Sequence, residues 1–396
     1  MFKKITLVAL AACSVFSAFA QKPDWEKVEA IYTRLPLKPA SPMAKKYTIE
    51  IVMDSDGLEA NKASDREALM QSITTTNALL MKQGKPAQPY PRSEEVYYNV
   101  VRDTNSIKAA LKLEGCQIVP AAPEFSLKIK ISGFDFSATL ITIELTRAVA
   151  AVTAKSATAS TPALPARAAI PATYNYLYEA RFMYKMAYVL SDASGSVVRE
   201  EIIPGTDAVT IKKTKQFASV YELDNYWVSQ ECRTGFKSVC DNDSYKKSLS
   251  LTHNTLNSDL GYEVKTIKLN VATSKDASVY ADIIAAFADA SMGYNYLSAD
   301  KKKADDYILK AVAAWEKAAK EYNPAAKKQR ISDDFAGAMY ANLAVAYCFL
   351  EDWPQCNHNI VKLKSMDKGG KLKNKLEDAD AFKADYEARV KANKVN

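Results

Sequence analysis

The chain has 396 residues, 48% of them hydrophobic and 25% charged, an ordinary globular composition and enough length for two or three domains. Its 12 glycines against 22 tyrosines exclude a glycine-rich or collagen-like chain, and a formal charge of +7 is too mild an excess to mark a nucleic-acid binder. The basic clusters at Lys301-Lys302-Lys303 and Lys371 to Lys375 are flanked by acids and read as solvated helix ends.

Lys3-Lys4, the apolar run from Ile5 to Ala12 and the small-x-small triplet Ala18-Phe19-Ala20 follow the pattern of a secretory signal, with cleavage expected before Gln21. Leu10-Ala11-Ala12-Cys13 also has the form of a bacterial lipobox and resembles the signal of lipid-anchored envelope proteins, with Cys13 as the anchor. A mature lipoprotein turns polar after that cysteine. Here the apolar stretch runs on through Val15, Phe16 and Phe19, so soluble export to the periplasm, or an outer-membrane-associated position, is the expectation. No other run approaches the roughly 18 apolar residues of a membrane span. Two cysteine pairs, Cys232/Cys240 and Cys348/Cys356, share one spacing, and no C-x-x-C occurs. In an oxidising compartment the expected disulfide is Cys232–Cys240, closing "CRTGFKSVC", with Cys116 a buried thiol.

Residues 21–46 read as a short helix followed by an extended arm, since Pro36, Pro39 and Pro42 forbid a helix there. "YTIEIVMD" alternates as a strand and ends in a turn at Asp54-Ser55-Asp56-Gly57. Ser64-x-x-Glu67 is a capping box opening a helix that Gly84 closes. "SIKAALKLEGCQIV" reads as a short helix ended near Gly115 and then a strand, and "FSLKIKISGF" is the cleanest alternating strand in the chain. The Ala-, Thr- and Pro-rich stretch 148–173 reads as a long loop. After it, "YNYLYEARFMYKMAYVLSDASGSVVREEI" reads as one long strand, a turn at Asp192 to Gly195, and a return strand. Residues 206–260 carry no clear assignment, and 262–272 make one more strand. Together these predict an α+β fold, with a mostly antiparallel sheet domain at 47–272. An all-α domain at 273–396 follows, where the periodicity turns helical.

Within that helical part, Tyr340, Leu343, Ala344 and Tyr347, followed by Cys356 and Ile360, match the W-x2-L-G-x2-Y and A-x3-F spacing of tetratricopeptide repeats, and the segment resembles that family. Ala311, Trp315 and Ala318 match the second helix of a preceding unit, while Lys368 stands where the closing proline belongs. The resemblance implies paired helices and a groove lined by first helices, here Ala338, Ala341, Val345 and Phe349 with Asn342 beside them. No Lys or Arg lies between Asp334 and Leu350, so a clamp for acidic tails is not expected. The small apolar face is instead predicted to pack against preceding helices or the sheet domain.

No chemical motif stands out. The only histidines are His253 and His358, and zinc bound by Cys232, Cys240 and His253 would need an unusual spacing. Ser244-x-x-Lys247 lacks the companion motifs of penicillin-binding enzymes. There is no phosphate loop and no nucleophile elbow. The expectation is a non-catalytic binding or scaffolding protein of a Gram-negative-type cell envelope, with a protein partner, no nucleic acid and no cofactor or metal. The alternative is a glycan-directed hydrolase using paired Asp or Glu in a cleft of the sheet domain.

Overall fold

The computed structural model of the chain describes residues 22–53, 55–87, 102–146, 168, 171–326, 329–366, 370 and 373–394. The signal with Cys13, most of the stretch 148–173, and Lys368 lie outside them. The fold is α+β, with sheets concentrated in the N-terminal half and helices in the C-terminal half. Two compact units divide the chain: Lys45–Leu256, and Met1–Ala44 together with Asn257–Asn396.

The first unit is built on a five-stranded mixed sheet of order β3-β2-β4-β7-β8. Its strands are β2 (Lys46–Met53), β3 (Gln117–Ile118), β4 (Phe125–Ile131), β7 (Met186–Asp192) and β8 (Val197–Ile202). The alternation in β4 has a direct outcome: Phe125, Leu127, Ile129 and Ile131 are all buried on one face. On the other face Lys128 pairs with Glu50 at 3.2 Å and Lys130 with Glu200 at 2.6 Å. Tyr47 stacks on Phe125 at 5.4 Å, and its hydroxyl accepts the Leu113 N–H at 2.9 Å. A three-stranded sheet is formed by β5 (Asp135–Thr146), β6 (Thr173–Met183) and β9 (Thr210–Lys213). The stretch read as one long strand is therefore two. The chain leaves β6 at Tyr184-Lys185 and enters the other sheet as β7.

Helix α1 (Ser55–Lys82) starts where a turn was expected, well before the capping box at Ser64. Its C-terminal end is as predicted: Gly84 sits at φ 66° and the Lys85 N–H reaches back to the Leu80 carbonyl at 2.9 Å. The short helix α2 (Thr104–Ala110) is capped by Asp103, whose carboxylate accepts from the Asn105 and Ser106 N–H groups. The unassigned region holds α3 (Val220–Val228), a π-helical turn (Cys232–Lys237) and α4 (Ser238–Leu260), which runs across the boundary between the units.

In the second unit the N-terminal arm is a strand, not a helix. Strand β1 (Asp24–Arg34) pairs antiparallel with β10 (Glu263–Thr273) from Asp24↔Thr273 to Arg34↔Glu263. Val28, Ala30 and Tyr32 recur at period two, and all three are buried. This pairing draws the N-terminal arm and the C-terminal end of the expected sheet domain into the helical unit, and the boundaries predicted at 46/47 and 272/273 fall at 44/45 and 256/257. Helices α5 (Ala277–Tyr296), α6 (Lys301–Lys320), α7 (Asp333–Phe349), α8 (Trp353–Met366) and α9 (Lys373–Asn393) complete the unit. The α5–α6 crossing is close because Gly293 has no Cβ: one placed there would lie 2.7 Å from Ile308 Cγ1 and 3.1 Å from the Ala304 carbonyl oxygen. Among the described residues no helix is long and apolar enough to cross a membrane.

Arg330 ties the loop before α7 to α5 and the end of α6. Its guanidinium donates to both Asp282 oxygens at 2.7 and 2.9 Å and to both Glu321 oxygens at 2.7 and 2.6 Å. The hydrogen bonds from Arg330 hold the Asp282 carboxyl below its ordinary value of 3.8. A depressed carboxyl contributes stability that is complete above that value and is lost as pH falls through the lower folded one. An acid titration of the unfolding midpoint should therefore show a falling limb below pH 3.8 that flattens in Arg330→Met. At neutral pH the same variant should lose about 1 kcal/mol, because solvent screens the half-exposed pair.

Candidate functional site

Helix α7 is the centre of the second unit. Ser332 caps it, accepting the Phe335 N–H at 3.3 Å, and Asp333 and Asp334 complement the dipole of its first turn. Beyond that turn nearly every side chain is buried, and the many small ones let neighbouring elements approach closely. Asn342 stands out in this apolar run. Its amide is buried, with Oδ1 accepting the Ala272 N–H at 2.9 Å and Nδ2 donating to the Ala272 carbonyl at 3.0 Å. The side chain thus takes the place of a neighbouring strand at one residue of β10.

Antiparallel pairing fixes what lies beyond it. Backbone groups alternate between the two edges of a strand, so Asn270 and Lys268 direct their N–H and C=O to the same side as Ala272, away from β1. Among the described residues no strand pairs with that edge. A cavity of about 310 Å³ runs alongside it. It is lined by Ile267, Leu269 and Val271 of β10, Tyr294 of α5, Ala341 and Val345 of α7, and Ala379 and Phe382 of α9. Polar groups at its margin are Lys268, Asn270, Asn342 and Asp378.

Of the residues singled out from the sequence, Ala341, Asn342 and Val345 line this cavity. Ala338 and Phe349 are fully buried, Ala341 and Asn342 nearly so, and Val345 is half-buried at the cavity. Phe349 packs against Tyr32, Tyr294, Phe382 and Tyr386 at ring separations of 5.8, 5.4, 5.0 and 5.6 Å. Asn342 and Phe349 are therefore covered by β1, β10, α5 and α9 of their own unit, while Ala341 and Val345 line the cavity. Leu343, Ala344, Cys356 and Ile360 are buried, as are Ala311, Trp315 and Ala318 on α6, while Tyr340 is half-buried. Tyr347 is buried and its hydroxyl donates to Glu316 at 2.6 Å.

The expected Cys232–Cys240 disulfide is absent: both are buried free thiols. They occupy one continuous helical stretch, the π-helical turn and the start of α4. Eight steps along one unbroken helical stretch carry their Cα atoms beyond the roughly 7 Å limit for a disulfide. Cys116 is also buried. Among the described residues no group of three or more His, Cys, Asp or Glu side chains could hold a metal. His358 is exposed, and His253 Nδ1 lies 2.9 Å from the Ala110 carbonyl. Ser244 is buried on α4.

Of the described carboxyl groups with a displaced pKa, Asp224 alone is pushed up, by burial. It faces the Tyr178 hydroxyl at 2.7 Å, not a second carboxylate. The acid–base pair that a glycan hydrolase needs is not assembled there. Arg102 forks onto Asp241 at 2.7 Å and Asn242 at 3.1 Å and stacks on Tyr245 at 4.1 Å, an arrangement that anchors the residues before α2 to α4.

Sequence reasoning missed β10 as a wall of the site, and it missed Gly293. Met292-Gly293-x-x-Tyr296 repeats the L-G-x-x-Y part of the tetratricopeptide pattern and would have placed the α5–α6 crossing. No protein-family model, curated protein or solved structure matches the chain.

Proposed function

We propose that this chain is a non-catalytic binding protein of a Gram-negative-type cell envelope, acting through protein–protein contacts. In this reading an extended segment of the partner adds to the free edge of β10 and sets side chains into the cavity below. The observation that carries it is that edge: Ala272 is already paired by an amide that mimics a strand, and Asn270 and Lys268 continue the same ladder beside an apolar cavity. Strand addition takes its affinity from backbone hydrogen bonds and its specificity from pockets for alternate side chains. Five residues of edge, Ile267 to Val271, span about 16 Å and suit a short peptide. The signal-like N-terminus and the helix pairs that resemble tetratricopeptide units support export and a binding role.

Asn270→Pro tests this. Proline removes one outward N–H, and an edge strand tolerates it where that N–H faces away from the ladder. In cells treated with formaldehyde, the wild-type chain should give a discrete crosslinked species that the variant loses at least tenfold, with the melting temperature of the purified variant unchanged. An undiminished species would overturn strand addition at this edge.

A further inference from the structure

Cys348 and Cys356 have the spacing of Cys232 and Cys240 and, like them, are buried, but the backbone between them takes a different path. Cys348 ends α7, Cys356 lies in the first turn of α8, and the chain reverses between them. Glu351 adopts φ 59°, its N–H bonds to the Cys348 carbonyl at 3.0 Å, and the Asp352 N–H bonds to the Tyr347 carbonyl at 3.0 Å. This is a Schellman-type close with a non-glycine residue in the left-handed position. It turns the two helices face to face and brings the sulfurs to 2.7 Å, both buried.

We propose that Cys348 and Cys356 form a disulfide that joins α7 to α8. The backbone of the turn already holds the sulfurs within about 0.7 Å of bonding distance, so closure needs no rearrangement of the helices. Small-molecule disulfides such as oxidised glutathione are the class of oxidant. The Cys356 thiolate attacks one sulfur of that disulfide and expels a thiolate, leaving a mixed disulfide. The Cys348 thiolate then attacks the Cys356 sulfur and expels the second thiolate. Two protons leave the cysteines and two are taken up by the released thiols; the cysteines are oxidised and the small disulfide is reduced. The hydrogen bond that its thiol donates to Cys356, together with burial, pushes the Cys348 thiol up, so it reacts second. The crosslink secures the helix that floors the cavity, whatever occupies it, and is independent of the binding proposal.

The test refolds the full chain from urea in a mixture of reduced and oxidised glutathione, so that burial does not limit access. Remaining thiols are alkylated and the peptides mapped without reduction. The expected product is lighter by two hydrogens, with the Cys348 peptide joined to the Cys356 peptide and Cys232 and Cys240 alkylated. Reduction should then lower its melting temperature by several degrees, and the same treatment should leave Cys348→Ser unaffected. Should refolding fail, the folded chain incubated in the same mixture is read in the same way. Native circular dichroism with Cys348 and Cys356 both alkylated, or a Cys232–Cys240 linkage, would overturn the proposal.

Discussion

Replacing Asn342 with leucine is expected to destabilise the chain by about 2–5 kcal/mol, because it strips two partners from one buried residue. Among the described residues the Ala272 N–H and C=O are paired by this side chain, and leucine can neither accept nor donate. Leucine keeps the branching of asparagine and leaves no cavity, and its larger methyl groups add an overpacking cost to the lost hydrogen bonds. A urea titration should show a lower midpoint with an unchanged slope, the signature of lost native-state stability. The comparison with Asn342→Asp is informative. Aspartate keeps the acceptor for the Ala272 N–H but loses the donor to its carbonyl and places a charge in an apolar setting. A leucine variant within about 0.5 kcal/mol of wild type, the range of ordinary surface changes, would mean that the amide does not hold β10 in place.

Trp315→Ala should cost about 3–5 kcal/mol, the range for truncating a buried tryptophan. Trp315 is fully buried on α6 within the largest apolar cluster of the second unit, which also takes in Ile308, Phe335 and Met339. Its indole N–H makes no hydrogen bond among the described residues. The loss is therefore of packing alone, and Trp315→Phe should cost only about 1–2 kcal/mol. Equal losses in the two variants would point to a polar role for the indole.

What could be read in advance depended on how locally each feature is encoded. The alternation of Phe125, Leu127, Ile129 and Ile131 states its own structure, since one face of β4 is core and the other carries lysines. The helix pair around Ala344 and Cys356 is likewise local, with its small residues near the crossing. Strand β1 was misread because its partner, β10, begins at Glu263, and "DWEKVEAIYTR" has an amphipathic pattern compatible with either period. The two cysteine pairs look alike in sequence. Only the reversal at Glu351 in one and the unbroken helical stretch in the other separate them. The cavity was the least legible feature. Its walls come from residues 267–271, 341–345 and 378–382, and no single stretch carries a mark of it. The nearest clue was Asn342, a buried amide in a run that otherwise obeys the apolar pattern, and such local violations are where function is expected.

The most direct measurement is site-specific photo-crosslinking in the native cell. A benzophenone side chain replaces Lys268 on the outward edge of β10, and a second strain carries it at Lys317, an exposed position on α6. Both crosslinked species are then mapped by peptide sequencing on each side of the bond. Strand addition predicts one dominant product from position 268, joined to a short extended segment of a single protein, and none of that product from 317. Equal or diffuse labelling from the two positions, or no product from 268 alone, would contradict a partner seated on this edge.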